Sequence, residues 1–248
     1  MSSSDEQWQA NLTSLAERIT VAAARAGRRA EEITLVAVGK AFGAEAVLAL
    51  ARRGQRDFGE SYVQEAIGKI AAVHAAAAEL PLTWHFVGPI QSNKTRPIAE
   101  HFDWVQSVDR LKIAERLSEQ RPAHLPPLNV LLQVNISGEA SKSGVDPARL
   151  PELVAAVSAL PRLRLRGLMA IPEPADDPAR QRPPLAAMKR LFEAQRAAAP
   201  EPWDTLSMGM SDDLEAAIAE GATMVRIGTA LFGARPGRPQ APEDARTP

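Results

Sequence analysis

Cysteine is absent from the 248-residue chain, which excludes disulfides, zinc–thiolate sites and thiol nucleophiles. Aromatic side chains are scarce at 4%, with a single tyrosine, Tyr62. An excess of one charge is also missing. The 29 basic and 30 acidic residues leave a net charge of −1 and are spread along the chain. That argues against a dedicated nucleic-acid or membrane-surface protein and leaves room only for a local basic pocket. No apolar run approaches the roughly 18 residues of a membrane span. The start, "MSSSDEQWQA", lacks the basic-then-apolar order of a signal peptide, so a cytoplasmic protein is expected. His74, His85, His101 and His124 do not cluster, so no metal site is expected.

What is present is an alternation. An amphipathic lead, "EQWQANLTSLAERITVAAARAG", places Trp8, Leu12, Leu15 and Ile19 at helical spacing and stops at Gly27. Short apolar runs then recur as strands at 33–39, 56–60, 83–88, 104–108, 129–136, 163–171, 205–209 and 223–228. Helical patterns fill the gaps at 44–54, 61–78, 91–100, 109–120, 147–159, 184–199 and 211–220. Asp146 before Pro147 is a start signal, an N-cap acceptor followed by a proline whose missing N–H costs nothing at the first helical position. Strands alternating with helices build right-handed βαβ units on a parallel sheet. Eight of them behind an extra N-terminal helix predict a (β/α)8 TIM barrel over residues 1–236. Residues 237–248 form a Pro-rich flexible tail, and "IPEPADDPARQRPP" (171–184) reads as a loop.

In such a barrel, chemistry collects at the C-terminal ends of the strands. "ITLVAVGKAFG" carries a buried run straight into Lys40. The second strand ends at Glu60 and Ser61, the third carries His85, the fourth Gln106, and the seventh Ser207 followed by Met210 and Ser211. "MVRIGT" at the eighth places Arg226, Gly228 and Thr229, in the position where barrels often hold a phosphate. Plainer readings stand beside these. A strand-end lysine is ordinarily a solvated edge, "MSDDLE" is an ordinary helix start with Ser211 as N-cap, and His85 between Trp84 and Phe86 suits an inward, hydrogen-bonded role. Arg226 is harder to dismiss, since a guanidinium in an apolar strand needs an anionic ligand, a ring nitrogen or a structural carboxylate.

Together, "AVGKAF", "FGESYVQEA", "WHFVGPIQSNK", "HFDWVQSVD", "LLQVNIS", "SKSG", "LRGLMAIP" and "LSMGMSDDLEAAIAEGATMVRIGTALFGAR" closely resemble the pyridoxal phosphate homeostasis proteins of the YggS/PROSC type. The resemblance covers about Leu35 to Arg235. It implies the barrel of the alanine racemase N-terminal domain, and a protein that binds, buffers and delivers pyridoxal 5'-phosphate with no established catalytic activity. Residue by residue, it makes Lys40 the Schiff-base lysine that would hold the cofactor as an aldimine. Ser207, Gly228 and Thr229 become the phosphate positions, Arg226 faces the pyridine nitrogen, and Met210 and Ser61 lie near the cofactor. Relatives usually read "SK" and "GENY" where this chain has Gly39 before Lys40 and Ser61 after Glu60, so ring contacts are expected to differ there.

Chemistry supports and limits that carry-over. Lysine is the nucleophile a carbonyl cofactor requires, and an apolar strand end with a neighbouring cation favours its neutral amine. An arginine at the pyridine nitrogen, unlike an acid, makes a weak electron sink. A racemase needs a second acid/base, normally a tyrosine from another domain, and only Tyr62 is present. The leading expectation is therefore a monomeric cofactor carrier acting in vitamin B6 homeostasis, with apo-forms of pyridoxal-phosphate enzymes as recipients. A low-activity amino-acid racemase and a cofactor-free Schiff-base aldolase using Glu60 are the alternatives. Lys94 and Lys142, in polar loops, suit solvated surface more than a second cofactor contact.

Overall fold

The computed structural model describes residues 3–138 and 143–233. Lys142 and the 237–248 tail lie outside the described residues.

Eight parallel strands close into one barrel in sequence order. They are β1 (Thr34–Val38), β2 (Asp57–Glu60), β3 (Thr83–Phe86), β4 (Trp104–Val108), β5 (Leu128–Gln133), β6 (Leu163–Met169), β7 (Thr205–Ser207) and β8 (Met224–Ile227). Closure comes from β8 pairing back onto β1, with Val36 opposite Arg226 and Ala37 opposite Ile227. The helices are α1 (Ser3–Arg25), α2 (Ala44–Ala51), α3 (Val63–Ala76), α4 (Thr95–His101), α5 (Leu111–Gln120), α6 (Leu150–Ser158), α7 (Pro178–Gln195), α8 (Leu214–Ala219) and α9 (Thr229–Phe232). The predicted alternation is thus the observed one.

The side-chain alternation of each strand sorts residues into two compartments. Val225 and Ile227 join Phe58, Phe86, Leu168 and Leu206 in the large apolar layer between sheet and helices. Val36, Val38 and Met224 form a separate small cluster inside the barrel, with Val87 and Trp104 against it. The interior is otherwise polar, holding buried His85, Gln106, Ser207 and Arg226. Helix α1 straps the last elements together. Trp8 Nε1 donates to the Phe232 carbonyl at 3.2 Å and Asn11 Nδ2 to the Leu231 carbonyl at 2.9 Å.

Three differences from expectation bear on the mouth of the barrel. The 171–184 loop is shorter than predicted because α7 begins at Pro178. Asp177 accepts from Ala179 N at 2.9 Å as N-cap, the same Asp-Pro device as Asp146, which accepts from Ala148 N at 2.8 Å. Pro183 and Pro184 lie inside α7, where they remove two backbone donors, while Gln181 Nε2 ties that turn to the Ala175 and Asp212 carbonyls. At the predicted 211–220 helix, Ser211 is not the N-cap. Asp213 takes that position for α8 and accepts from Met210 N at 2.6 Å, while Ser211 Oγ turns to Ala230 N at 3.2 Å. After β8 the chain makes a short helix, α9, beyond the last helix the sequence pattern showed.

Candidate functional site

β1 ends at Val38, and the next two residues turn over the barrel mouth. Gly39 is buried and Lys40 is half-buried. The turn is held from below by a charged cluster. Lys69 on α3 donates to the Gly39 carbonyl at 2.8 Å, to Glu60 Oε1 at 2.5 Å and to Glu65 Oε1 at 3.2 Å. Glu65 also accepts from Ala41 N at 2.9 Å. Ala41 carries φ of 71°, a left-handed conformation that costs a non-glycine residue energy and persists where its surroundings over-determine it. The clamp from α3 supplies that determination.

Lys40 opens onto a cleft of about 480 Å3 at the C-terminal mouth. Ser61, Met210, Arg226, Gly228 and Thr229 line the same cleft, as do Arg18, Ser211 and Asp212. Ser207 does not line it. That residue is fully buried behind Arg226, its Oγ accepting from Arg226 NH1 at 2.6 Å and donating to Gln106 Oε1 at 2.6 Å. The hydroxyl-bearing residues that line the cleft are Ser61, Ser211 and Thr229, with Ser211 Oγ accepting from Ala230 N. Sequence reasoning set Ser211 at this mouth but favoured the helix-start reading of "MSDD", a common capping pattern. It missed Arg18 because that residue comes from α1, far away in sequence. Arg18 donates to Glu215 at 2.8 and 3.0 Å and to the Ser211 carbonyl at 3.2 Å, and the Glu215 carboxylate holds it firmly charged.

Arg226 is buried among strands with no carboxylate within ion-pair distance among the described residues. Its NH2 donates to the Ala170 carbonyl at 2.8 Å. Burial pulls its pKa down to about 10, opposed by the more distant Asp213 charge. NH1 and NH2 each commit one N–H to these bonds, and the Nε–H has no protein acceptor among the described residues. His85 is buried and hydrogen-bonded on both ring nitrogens, to Asp57 Oδ1 at 2.9 Å and to Gln106 Nε2 at 3.0 Å, which is the inward role expected of it. Glu60 does not reach the cleft. It is fully buried and paired with Lys69, and burial pushes its carboxyl above the usual range, partly offset by Lys69. The acid/base an aldolase would need beside Lys40 is therefore committed to the clamp. Lys94 ends a one-turn 3-10 helix, Ser92–Lys94, and is not a cleft residue.

A lysine from the end of β1, an arginine from inside β8 and a Gly-Thr turn after it, sharing one mouth, define a lysine-bearing barrel of the alanine racemase N-terminal type. The family model "Alanine racemase, N-terminal domain" matches residues 10–236. A pyridoxal phosphate homeostasis protein of Pseudomonas aeruginosa is 63% identical over 91% of this chain and 94% of its own length. PipY of Synechococcus elongatus, solved with PLP bound, is 39% identical with a TM-score of 0.74, covering 88% of this chain and 99% of that one. Alanine racemase from Corynebacterium glutamicum shares the fold at 19% identity and a TM-score of 0.65, over 91% of this chain and 62% of that chain. The chain belongs to the pyridoxal phosphate homeostasis protein family.

Proposed function

We propose that the protein binds pyridoxal 5'-phosphate in the mouth cleft through covalent attachment to Lys40, and acts as an intracellular carrier that stores and hands on the cofactor. The observation that carries this is the convergence of Lys40, Arg226 and the Gly228–Thr229 turn on one cleft. The residues fit the group. A volume of about 480 Å3 lies within the range of small-ligand sites. The turn at Gly228 runs so close to β1 that a Cβ there would come within 3.3 Å of the Val38 carbonyl, so bare backbone faces the cleft. The Arg226 Nε–H edge offers a donor to a ring nitrogen.

When bound, pyridoxal 5'-phosphate supplies an aldehyde for a lysine amine and a phosphate for an anion cradle. Lys40 offers the amine from a turn held by Lys69 at the Gly39 carbonyl and by Glu65 at Ala41 N. Thr229, Ser211 and Arg18 offer hydroxyl, backbone and guanidinium donors at the phosphate end. Ser61 stands where an asparagine would reach further toward a ring substituent. Arg226 donates rather than protonates, because a guanidinium does not give up its proton in this range. A ring nitrogen left unprotonated is a poor electron sink, which supports a carrier over an enzyme. The sole tyrosine, Tyr62, is 61% exposed and is not a cleft residue, so an opposite-face acid for racemisation has no candidate among the described cleft residues other than Asp212.

The test is direct. Purified protein loaded with pyridoxal 5'-phosphate and reduced with borohydride should yield, on peptide mapping, a modified peptide containing Lys40. Lys40→Ala should lose the visible absorption band. A modified peptide elsewhere, or an unchanged band in the variant, overturns the assignment. Incubation of the loaded protein with L-amino acids in deuterated water should show no multiple-turnover exchange at Cα.

A further inference from the structure

The barrel interior contains a hydrogen-bonded chain that the cofactor reading does not use. Arg226 NH1 donates to Ser207 Oγ at 2.6 Å. Ser207 Oγ donates to Gln106 Oε1 at 2.6 Å. Gln106 Nε2 meets His85 Nδ1 at 3.0 Å, and His85 Nε2 meets Asp57 Oδ1 at 2.9 Å. Four strands, β8, β7, β4 and β3, pass the contact across the interior to Asp57, the first residue of β2 at the opposite end of the barrel. Ser207, Gln106 and His85 are at most 3% exposed, and Asp57 reaches solvent with 27% of its side chain.

Donor and acceptor chemistry gives the chain one direction. Arginine can only donate, so Ser207 accepts from it and its own proton goes to the Gln106 carbonyl. That commits the Gln106 amide nitrogen to donate to His85 Nδ1 and, at 3.1 Å, to Met224 Sδ. His85 thereby accepts at Nδ1 and donates from Nε2 to the Asp57 carboxylate. Every N–H and O–H points away from Arg226, from the buried cation toward a carboxylate in contact with water. Bonds aligned head to tail polarise one another in a low-dielectric interior. A structural core has no need of this order, since apolar residues fill most barrel interiors.

We infer that Asp57, His85, Gln106 and Ser207 are positioning residues that fix the rotamer of Arg226 and aim its Nε–H at the ring-nitrogen side of the cleft, so that the far end of the barrel sets how tightly a ring nitrogen is held. This rests on the reading of Arg226 as the partner of the cofactor ring. The chain explains two things that reading leaves open. It accounts for a guanidinium buried without a contacting carboxylate. It also accounts for a serine at 207, which cannot reach the cleft but sits directly behind the arginine.

The test compares two ligands, pyridoxal 5'-phosphate and its 1-deaza analogue, in which carbon replaces the ring nitrogen. A residue that only supports the fold affects both alike; a residue that aims Arg226 affects the first selectively. The wild type should prefer pyridoxal 5'-phosphate. Ser207→Ala and Asp57→Asn should each cut that preference, Ser207→Ala by about tenfold, the scale of one misaligned hydrogen bond from a charged donor. Affinity for the analogue should stay unchanged. Asp57→Asn is isosteric and partly exposed, so it retains the fold, which a thermal melt checks. If Arg226→Gln abolishes the preference while Asp57→Asn and Ser207→Ala keep it in full, the chain has no positioning role and the arginine reading survives. If the wild type shows no preference, the arginine reading fails and the inference falls with it.

Discussion

The Lys69–Glu60 pair offers the sharpest energetic test of the site. Lys69 and Glu60 side chains are 4% and 0% exposed, 2.5 Å apart, and the three ammonium protons are matched by Glu60, Glu65 and the Gly39 carbonyl. Lys69→Met keeps the side-chain length and removes the charge, leaving a buried carboxylate with one oxygen, Oε2, already lacking a hydrogen-bond partner. Breaking a buried pair in this way costs about 3–5 kcal/mol. At about 2–4 °C per kcal/mol for a chain of this size, the melting temperature should fall by roughly 6–20 °C. An exposed pair such as Lys189–Glu193, with side chains 41% and 43% exposed, is worth about 0–1 kcal/mol and should barely register. The loss is pH-dependent. Burial already raises the Glu60 carboxyl, and removing Lys69 raises it further. A group whose folded pKa lies above its unfolded one, about 4.3 for glutamate, binds its proton more readily in the native state. Its contribution is therefore complete below the unfolded value and lost as pH rises through the folded one. Thermal melts of Lys69→Met should accordingly show a larger deficit at pH 8 than at pH 5, and Glu60→Gln/Lys69→Met should recover much of it. A single variant within about 1 kcal/mol of wild type at pH 8, or a double variant no better than the single, would refute the assignment of a buried ion pair to this turn.

Other expectations are simpler to read. Gly39→Ser introduces the residue relatives usually carry. Its Cβ would lie 3.3 Å from Glu60 Oε1, an oxygen that Lys69 holds in the buried pair, so the crowding should cancel the gain of about 0.4–1 kcal/mol expected from restricting the unfolded chain, and urea titration should show no stabilisation. A gain of that size would show that the pair can shift to admit a Cβ. Asp177→Ala removes the α7 cap and should cost about 1 kcal/mol, with hydrogen exchange quickening in the first turn of α7 and not in β6. Gly167 adopts φ of 149° where the β5–β6 register shifts, and a Cβ there would overlap the Thr205 carbonyl. Gly167→Ala should therefore destabilise by at least about 2 kcal/mol, and a neutral melt would contradict the bulge.

How much was legible in the sequence varies with how local the cause is. The eight strands and the lead helix were readable because each is a run of apolar residues with its own period, punctuated by a stop such as Gly27 or an Asp-Pro start. The start of α7 had the same Asp-Pro signal and was obscured by Pro183 and Pro184, which argue for a loop when the capping turn is not known. Ser211 was misread for a related reason. A serine before two aspartates caps many helices, but here Asp213 takes the N-cap position and the hydroxyl serves the Gly228–Ala230 turn.

The barrel, the lysine that closes β1, the arginine inside β8 and the Gly-Thr turn after it can each be read from a short pattern. Which of them meet depends on how the chain closes in space. The tertiary structure placed Ser211 and Arg18 in the cleft, withdrew Ser207 and Glu60 from it, and gave Lys40 its clamp from α3. Closing the barrel brought residues as distant as Asp57 and Arg226 onto one hydrogen-bonded line. The physical reason is that hydrogen bonds and ion pairs act over about 3 Å of space, and chain spacing says little about that distance until the sheet has closed.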